Sequence, residues 1–204
     1  GYAADIAVFE DLRDFRAAFV IAGGRLAAVD GEMAMELPER RFGDRLMHTV
    51  RLPRLTAESL AIPAGVGQAR VIQATDGQIV TRQMLANPPV LSGRVAPDVD
   101  RDILKMVVVE RHGRNGNVGL GLVRGFGLRS GAIASSVAHD SHNVIAVGTN
   151  DQDILTAIRR VGEVEGGLVA VDKSEVLAEL PLPIGGLISP APARIVAERL
   201  QQME

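Results

Sequence analysis

Hydrophobic and polar positions alternate in short runs along the chain, a pattern more typical of β-strands than of helices. Near the N-terminus, residues 4–10 and 17–31 are apolar enough for strands. Two consecutive glycines, Gly23 and Gly24, divide the second run at a position that favours a two-residue hairpin turn. The pattern therefore predicts a small block of antiparallel strands at the start of the chain.

The middle of the chain is less regular. Residues 32–68 are rich in Pro, Arg and Gly and predict irregular structure with one short helix at 56–61. Residues 69–85 predict a hairpin, because two β-branched runs flank an Asp-Gly dipeptide. We expect residues 87–100 to form a loop, since two consecutive prolines near its start oppose regular strand pairing.

The second half predicts a denser, layered structure of strands with two helices. Apolar residues spaced along one face predict a helix from Asp151 to Gly162, with Thr149 and Gln152 at capping-box spacing. With the strands before and after it, this helix predicts a right-handed β-α-β unit. The predicted elements are strands at 103–110, 118–127, 132–137, 144–148, 166–172 and 174–184, and a terminal helix at 192–202. Together they indicate an α+β fold of mixed β-sheets with few helices.

Composition narrows the class of protein. The chain is 47% hydrophobic and 23% charged with a net charge of −3, which is typical of a soluble globular protein. It has no long basic run, no Trp, one Tyr and five Phe, which argues against nucleic-acid binding. No apolar run is long enough to predict a membrane span, and a cytoplasmic location is expected. Because the chain opens with Gly directly into a strand, we expect it to be a piece of a longer protein.

One polar segment, "AHDSHN" at 138–143, lies between two predicted strands and is a candidate for chemistry. His139, Asp140 and His142 carry imidazole and carboxylate groups suited to metal ligation or proton transfer. In an extended segment His139 and Ser141 would point away from Asp140 and His142. The polar groups therefore meet at one centre only if the segment turns tightly. The alternative is a polar hairpin loop whose side chains satisfy local backbone groups.

A second polar segment, "ERHGRNGN" at 110–117, directly follows a predicted buried strand. It supplies Glu110, Arg111 and His112 at the carboxyl end of that strand, where ligand sites are common. The alternative is a charged, solvated connection. Two other features are interpreted as structural: "PLPIGG" at 181–186 as a rigid corner, and His48 as an isolated histidine.

Two long stretches carry a resemblance to a known family. They read "DILKMVVVERHGRNGNVGLGLVRGFGLRSGAIASSVAHDSHNVIAVGTNDQDILTAI" and "GGLVAVDKSEVLAELPLPIGGLIS", and span about residues 102–189. They closely resemble the C-terminal domain of bacterial adenine deaminases, which belong to the amidohydrolase superfamily. The first 31 residues resemble the strands that complete the small β-sandwich of amidohydrolases. The resemblance implies remnant β-sandwich strands over 1–40 and the C-terminal α+β domain over 41–204.

The resemblance also implies an activity, the hydrolysis of adenine to hypoxanthine and ammonia with a divalent metal ion (Mn, Fe or Zn). In that superfamily a (β/α)₈ barrel binds the metal, partly through an H-x-H motif. This chain has no H-x-H and is too short for a barrel of about 250 residues. We therefore expect a fragment that is inactive and binds no metal alone. Its expected partners are adenine, the protein's own N-terminal barrel and other copies in a homo-oligomer, without nucleic acid or membrane.

Site residues follow from the same resemblance, in which the C-terminal domain lies over the mouth of the barrel. Asp140 and one histidine would act as an acid–base or base-recognition pair. The predicted catalytic residues are His139, Asp140, His142, Asn143, Glu110 and His112, and the predicted substrate-binding residues are Arg111 and Ser141. The alternative functions are a non-catalytic ligand-binding or regulatory module, and a structural oligomerisation domain.

Overall fold

The computed structural model describes residues 1–36 and 42–203 as two compact units, Gly1–Arg41 and Phe42–Glu204. Strands predominate over helices, so the predicted α+β class is confirmed. Among the described residues, the first unit forms one sheet and the second forms two.

The first unit is a four-stranded antiparallel meander. Its strands follow one another in space as in the chain: β1 (Ile6–Phe9), β2 (Ala17–Ala22), β3 (Arg25–Val29) and β4 (Glu32–Met33). Gly23 and Gly24 form the β2–β3 turn with φ angles of 57° and 79°. Positive φ at both central residues is what a type I′ turn requires, so the predicted hairpin is confirmed. The relation of this unit to an amidohydrolase β-sandwich stays a prediction.

The second unit is built on an eight-stranded sheet. In chain order the strands of the unit are β5 (Ala69–Gln73), β6 (Arg82–Ala86), β7 (Val90–Leu91), β8 (Arg94–Val95), β9 (Leu104–Val109), β10 (Val118–Arg124), β11 (Ala132–Ser135), β12 (Val144–Gly148), β13 (Gly167–Asp172) and β14 (Glu175–Pro181). The order in the eight-stranded sheet is β14-β13-β11-β12-β9-β10-β5-β6. Neighbours are antiparallel except β10 and β5, which are parallel.

The second unit also contains four helical segments in its described part. They are α1 (Asp44–Met47), a 3₁₀ helix (Ala57–Leu60), α2 (Asp151–Glu163) and α3 (Ala193–Gln201). Of these four, only α2 joins two strands of the sheet. The α2 N-cap is Asn150, whose side chain accepts the Asp153 N–H at 2.8 Å. The predicted Thr149 capping box is therefore wrong by one residue, because the Thr149 hydroxyl instead donates to the Gly131 carbonyl.

The main core lies between α2 and one face of the sheet. The predicted apolar stripe of α2 is confirmed, since Ile154, Leu155, Ile158 and Val161 are all buried. Small and β-branched side chains of the central strands pack against this stripe: Val107, Val109, Ala132, Ala134, Val144, Ala146, Val169 and Val171. Burying each large aliphatic side chain contributes about 1.5–3 kcal/mol, so this layer is the main source of stability in the sheet.

Two connections differ from the sequence prediction. Strands β12 and β13 are parallel and joined through α2, but β11 lies between them and pairs antiparallel with both. The predicted β-α-β unit is therefore split by an inserted strand. Residues 87–100 contain the short β7–β8 hairpin, which turns at Ser92 and Gly93. The loop prediction was wrong there because the prolines precede the pairing residues and leave them free to pair.

Among residues 1–36 and 42–203, no helix is long and apolar enough to cross a membrane.

Candidate functional site

All four histidines of the chain lie on segments at one end of the eight-stranded sheet. We call this the histidine end and define it as residues 46–51, 110–117, 136–143, 164–167 and 182–186. The two predicted polar segments meet here because β9 ends and β12 begins at this end, with Val109 paired to Val144. The opposite end consists of residues 74–81, 98–103, 125–131, 149–153 and 173–174.

Glu110 organises the first polar segment through the backbone. Its carboxylate accepts N–H groups from His112 at 2.6 Å, Arg114 at 3.1 Å, Asn115 at 3.3 Å and Gly116 at 3.1 Å. Burial opposes ionisation of this carboxyl, but the four backbone donors outweigh it and lower the pKa of Glu110 to about 2. The ionised carboxylate is therefore committed to the fold of its own loop, and its catalytic role stays a prediction.

Arg111 is buried, with 2% of its surface exposed. Its Nε donates to the His142 carbonyl, and its Nη2 donates to the Gly185 carbonyl at 3.1 Å. A Cβ at Gly186 would lie 2.5 Å from the guanidinium Nη1, so a side chain there would displace Arg111. Burial lowers the pKa of Arg111 from its ordinary value. The guanidinium thus holds two loops together through their carbonyls.

His112 connects the two polar segments. Its Nε2 lies 3.2 Å from the Ser141 carbonyl, a hydrogen bond that forms when this nitrogen carries the proton. The backbone beside it is also fixed, because the Arg51 N–H donates to the Arg111 carbonyl at 2.8 Å. The 138–143 loop is therefore contacted from the first polar segment at two successive carbonyls, those of Ser141 and His142.

The second polar segment forms a tight turn. The His142 N–H donates to the Ala138 carbonyl at 2.7 Å, and His142 has a φ of 49°. The turn brings the His139 Nδ1 to 3.0 Å from the Asp140 Oδ1, although an extended chain would point these side chains apart. Their side chains are 98% and 99% exposed. This imidazole–carboxylate pair therefore lies at the tip of the loop, in contact with solvent.

The remaining predicted residues lie at the base of the loop. The Ser141 hydroxyl accepts the Asn143 N–H at 3.4 Å, and Asn143 is half-buried beside β12. The His142 Nδ1 is buried with no hydrogen-bond partner among the described residues, as is the Thr49 Oγ1. Burying a polar atom without a partner costs about 1–3 kcal/mol. Both such atoms lie at the histidine end.

Sequence reasoning missed His48, which it treated as isolated. His48 Nδ1 lies 3.3 Å from Glu165 Oε1, and the Val50 N–H donates to Glu165 Oε2 at 3.4 Å. The two residues are separated by 117 positions, so no local pattern could have indicated the contact.

The donors at the histidine end do not fit a metal site. Among residues 1–36 and 42–203, no three His, Asp or Glu side chains converge as ligands. A protein zinc site uses three or four such ligands. The pair His139–Asp140 supplies two, and the Glu110 carboxylate is already occupied by backbone donors.

The fold and this end of the sheet define a class: an α+β domain that presents an exposed imidazole–carboxylate pair on an anchored loop. Residues 78–204 match the family model described as the adenine deaminase C-terminal domain, and the chain belongs to this family.

Curated relatives match along nearly the whole chain. An adenine deaminase of Lysinibacillus sphaericus (strain C3-41) is 41% identical over 201 residues, covering 98% of this chain and 35% of that protein. An adenine deaminase of Brucella abortus (strain 2308) is 42% identical over 203 residues, covering 100% and 34%. Adenine deaminase 2 of Carboxydothermus hydrogenoformans is 43% identical over 205 residues, covering 100% and 35%. The chain thus spans about a third of the length of these relatives.

Proposed function

We propose that this chain is the C-terminal domain of an adenine deaminase, which hydrolyses adenine to hypoxanthine and ammonia. The support is the match of residues 78–204 to the family and the similarity of the whole chain to proteins of that name. The activity belongs to the longer protein, and its divalent metal ion, Mn, Fe or Zn, is held by residues outside this chain. By itself the chain releases no ammonia from adenine.

The main support for a role of this domain in catalysis is the exposed pair His139–Asp140. Hydrolytic deamination adds water to the amino-bearing carbon of the ring, and protons must reach a ring nitrogen and the leaving amine. An imidazole next to a carboxylate suits such proton transfer, because the carboxylate orients the ring and stabilises its protonated form. In this role the pair contacts adenine bound on the barrel domain, and the rest of the histidine end holds the loop.

The test replaces each member of the pair in the complete enzyme. We expect His139→Ala and Asp140→Ala to lower the turnover of adenine by more than tenfold, measured as ammonia release. The matched control is Asp76→Ala, which removes an exposed loop carboxylate at the opposite end and should leave turnover within about twofold of the wild type. Near-normal turnover of both loop variants would exclude the catalytic role.

A second candidate, a non-catalytic assembly module, is favoured by one feature. The sheet face opposite α2 carries an apolar groove of about 290 Å³, lined by Phe126, Ile133, Ile145, Leu168 and Met203, among others. Apolar surface of this kind is typical of protein contacts. This candidate predicts that Ile145→Asp disrupts assembly of the complete protein, while His139→Ala leaves its turnover unchanged.

A further inference from the structure

The side chains of two adjacent residues, Glu110 and Arg111, both form hydrogen bonds with backbone groups. They follow β9 directly, where successive side chains point to opposite sides of the strand. Glu110 therefore serves its own turn, while Arg111 reaches across to two other loops. Both charged side chains are buried, and each forms hydrogen bonds with backbone groups of the surrounding loops.

We propose that Arg111 is a positioning residue, supported by Glu110, that fixes the 138–143 loop and so directs the His139–Asp140 pair toward its substrate. This role rests on the function proposed above. In this role Arg111 acts on the loop through main-chain carbonyls and does not contact the substrate.

The first anchor is the guanidinium itself. Arg111 Nε binds the His142 carbonyl and Nη2 binds the Gly185 carbonyl, so one planar group joins the loop to residues 182–186. Lysine could not reproduce this, because a single ammonium lacks the fixed fork of two donor directions. Gly186 leaves the space that the guanidinium occupies.

The segment that Arg111 uses as its support is also held in place. Ser136 is fully buried, and its hydroxyl donates to the Gly186 carbonyl at 2.6 Å while accepting the Gly167 N–H at 2.8 Å. The Gly185 N–H donates to the Leu46 carbonyl at 2.6 Å. Arg111 therefore connects the loop to a segment fixed from two sides.

The second anchor runs through Glu110. Its four backbone hydrogen bonds set the turn that carries His112, whose Nε2 meets the Ser141 carbonyl at 3.2 Å. The two anchors thus hold consecutive carbonyls of Ser141 and His142 and leave His139 and Asp140 in solvent. Because both act on carbonyls, they determine where the loop points without contacting a ligand.

The decisive measurement separates kcat from KM for adenine in the complete enzyme. If Arg111 positions the loop, Arg111→Met should lower kcat at least tenfold with KM within about twofold. Arg111→Lys should lower kcat less, because it keeps the charge and can reach one carbonyl. A raised KM with normal kcat would instead show that Arg111 binds substrate, and unchanged constants would show that it has no role.

A second measurement covers the case in which Arg111→Met does not fold. Hydrogen exchange of the complete enzyme carrying Arg111→Lys or Glu110→Gln should be at least tenfold faster at the His142 N–H than in the wild type. Amides of residues 74–81 at the opposite end should exchange at the wild-type rate. Unchanged exchange at His142 would overturn the positioning role.

The variant His139→Ala, assayed in parallel, separates failure of this inference from failure of the proposed function. If His139→Ala keeps full turnover, the catalytic role of the loop fails, whatever Arg111 does. If His139→Ala loses turnover while both Arg111 variants keep normal kcat, the positioning role alone fails.

Discussion

At both ends of the eight-stranded sheet, carboxylates accept backbone N–H groups, but the two ends differ in the polar groups that are left without such bonds. At the opposite end, Asp102 accepts the N–H groups of Gly125 and Gly127 at 2.7 and 2.8 Å. Buried Asp153 accepts the Ser174 N–H at 2.6 Å, and Asn150 donates to it at 2.7 Å. Both carboxylates bond to a neighbouring loop or helix end, so these two side chains serve the fold.

At the histidine end the Glu110 carboxylate likewise accepts backbone N–H groups, but other polar groups there do not bond to the rest of the fold. His139 and Asp140 extend into solvent, and the buried side-chain atoms without a partner in the described part of the chain, His142 Nδ1 and Thr49 Oγ1, both lie there. Polar groups that the fold does not use are available for binding or catalysis. Hydrogen-bond partners therefore distinguish the polar side chains that the fold uses from those it leaves exposed better than residue type does.

The largest expected effect concerns the packing at the last residue of β12, which adjoins the opposite end. A Cβ at Gly148 would lie 2.6 Å from Ile154 Cγ1 and 2.7 Å from Ala132 Cβ, both buried. Gly148→Ala should therefore lower the free energy of unfolding by about 3 kcal/mol, measured by urea denaturation. The matched control is Gly119→Ala in β10, beside the histidine end, where a Cβ would meet its nearest neighbour, Val108, at an ordinary 3.8 Å. Equal losses in the two variants would show that the close contacts at Gly148 do not determine the cost.

An intermediate effect concerns the acid stability that Glu110 gives to the histidine end. Its pKa is about 2 in the folded protein against an ordinary 4.5, so its ionised form favours folding above about pH 4.5. This contribution is lost as the pH falls from 4.5 towards 2. We expect Glu110→Gln to be less stable than the wild type at pH 7, with the difference shrinking as the pH falls to 2. A difference that stays constant between pH 7 and pH 2 would contradict this.

The smallest effect is the most informative about function. Since His139 and Asp140 are almost fully exposed, His139→Ala and Asp140→Ala should change the free energy of unfolding by less than about 0.5 kcal/mol. Thermal unfolding of both variants checks this. A larger loss would mean that the pair supports the fold, and reduced turnover would then have a structural cause.

Periodicity predicted most strands and α2, because apolar faces must be buried whatever the topology. It did not predict that β11 lies between β12 and β13, since strand order depends on contacts between distant residues. The site was predictable only as a set of polar residues. Glu110 and Arg111 have the residue types of a catalytic site, but their hydrogen-bond partners are backbone groups. Such partners cannot be recognised from the sequence, because nearly every residue has the same backbone groups.

The split connection around β11 also bears on how the site assembles during folding. The hairpin β11–β12, with the 136–143 loop at its tip, joins strands that are close in sequence and can form early. The anchors of that loop come from farther away: Arg111 is 31 residues from His142, and Gly185 is 74 residues from Arg111. By the same argument we expect these long-range contacts to form after the hairpin, so that the loop would exist before it is held in place. A chain halted before residues 182–186 dock would carry the histidine pair without its final orientation.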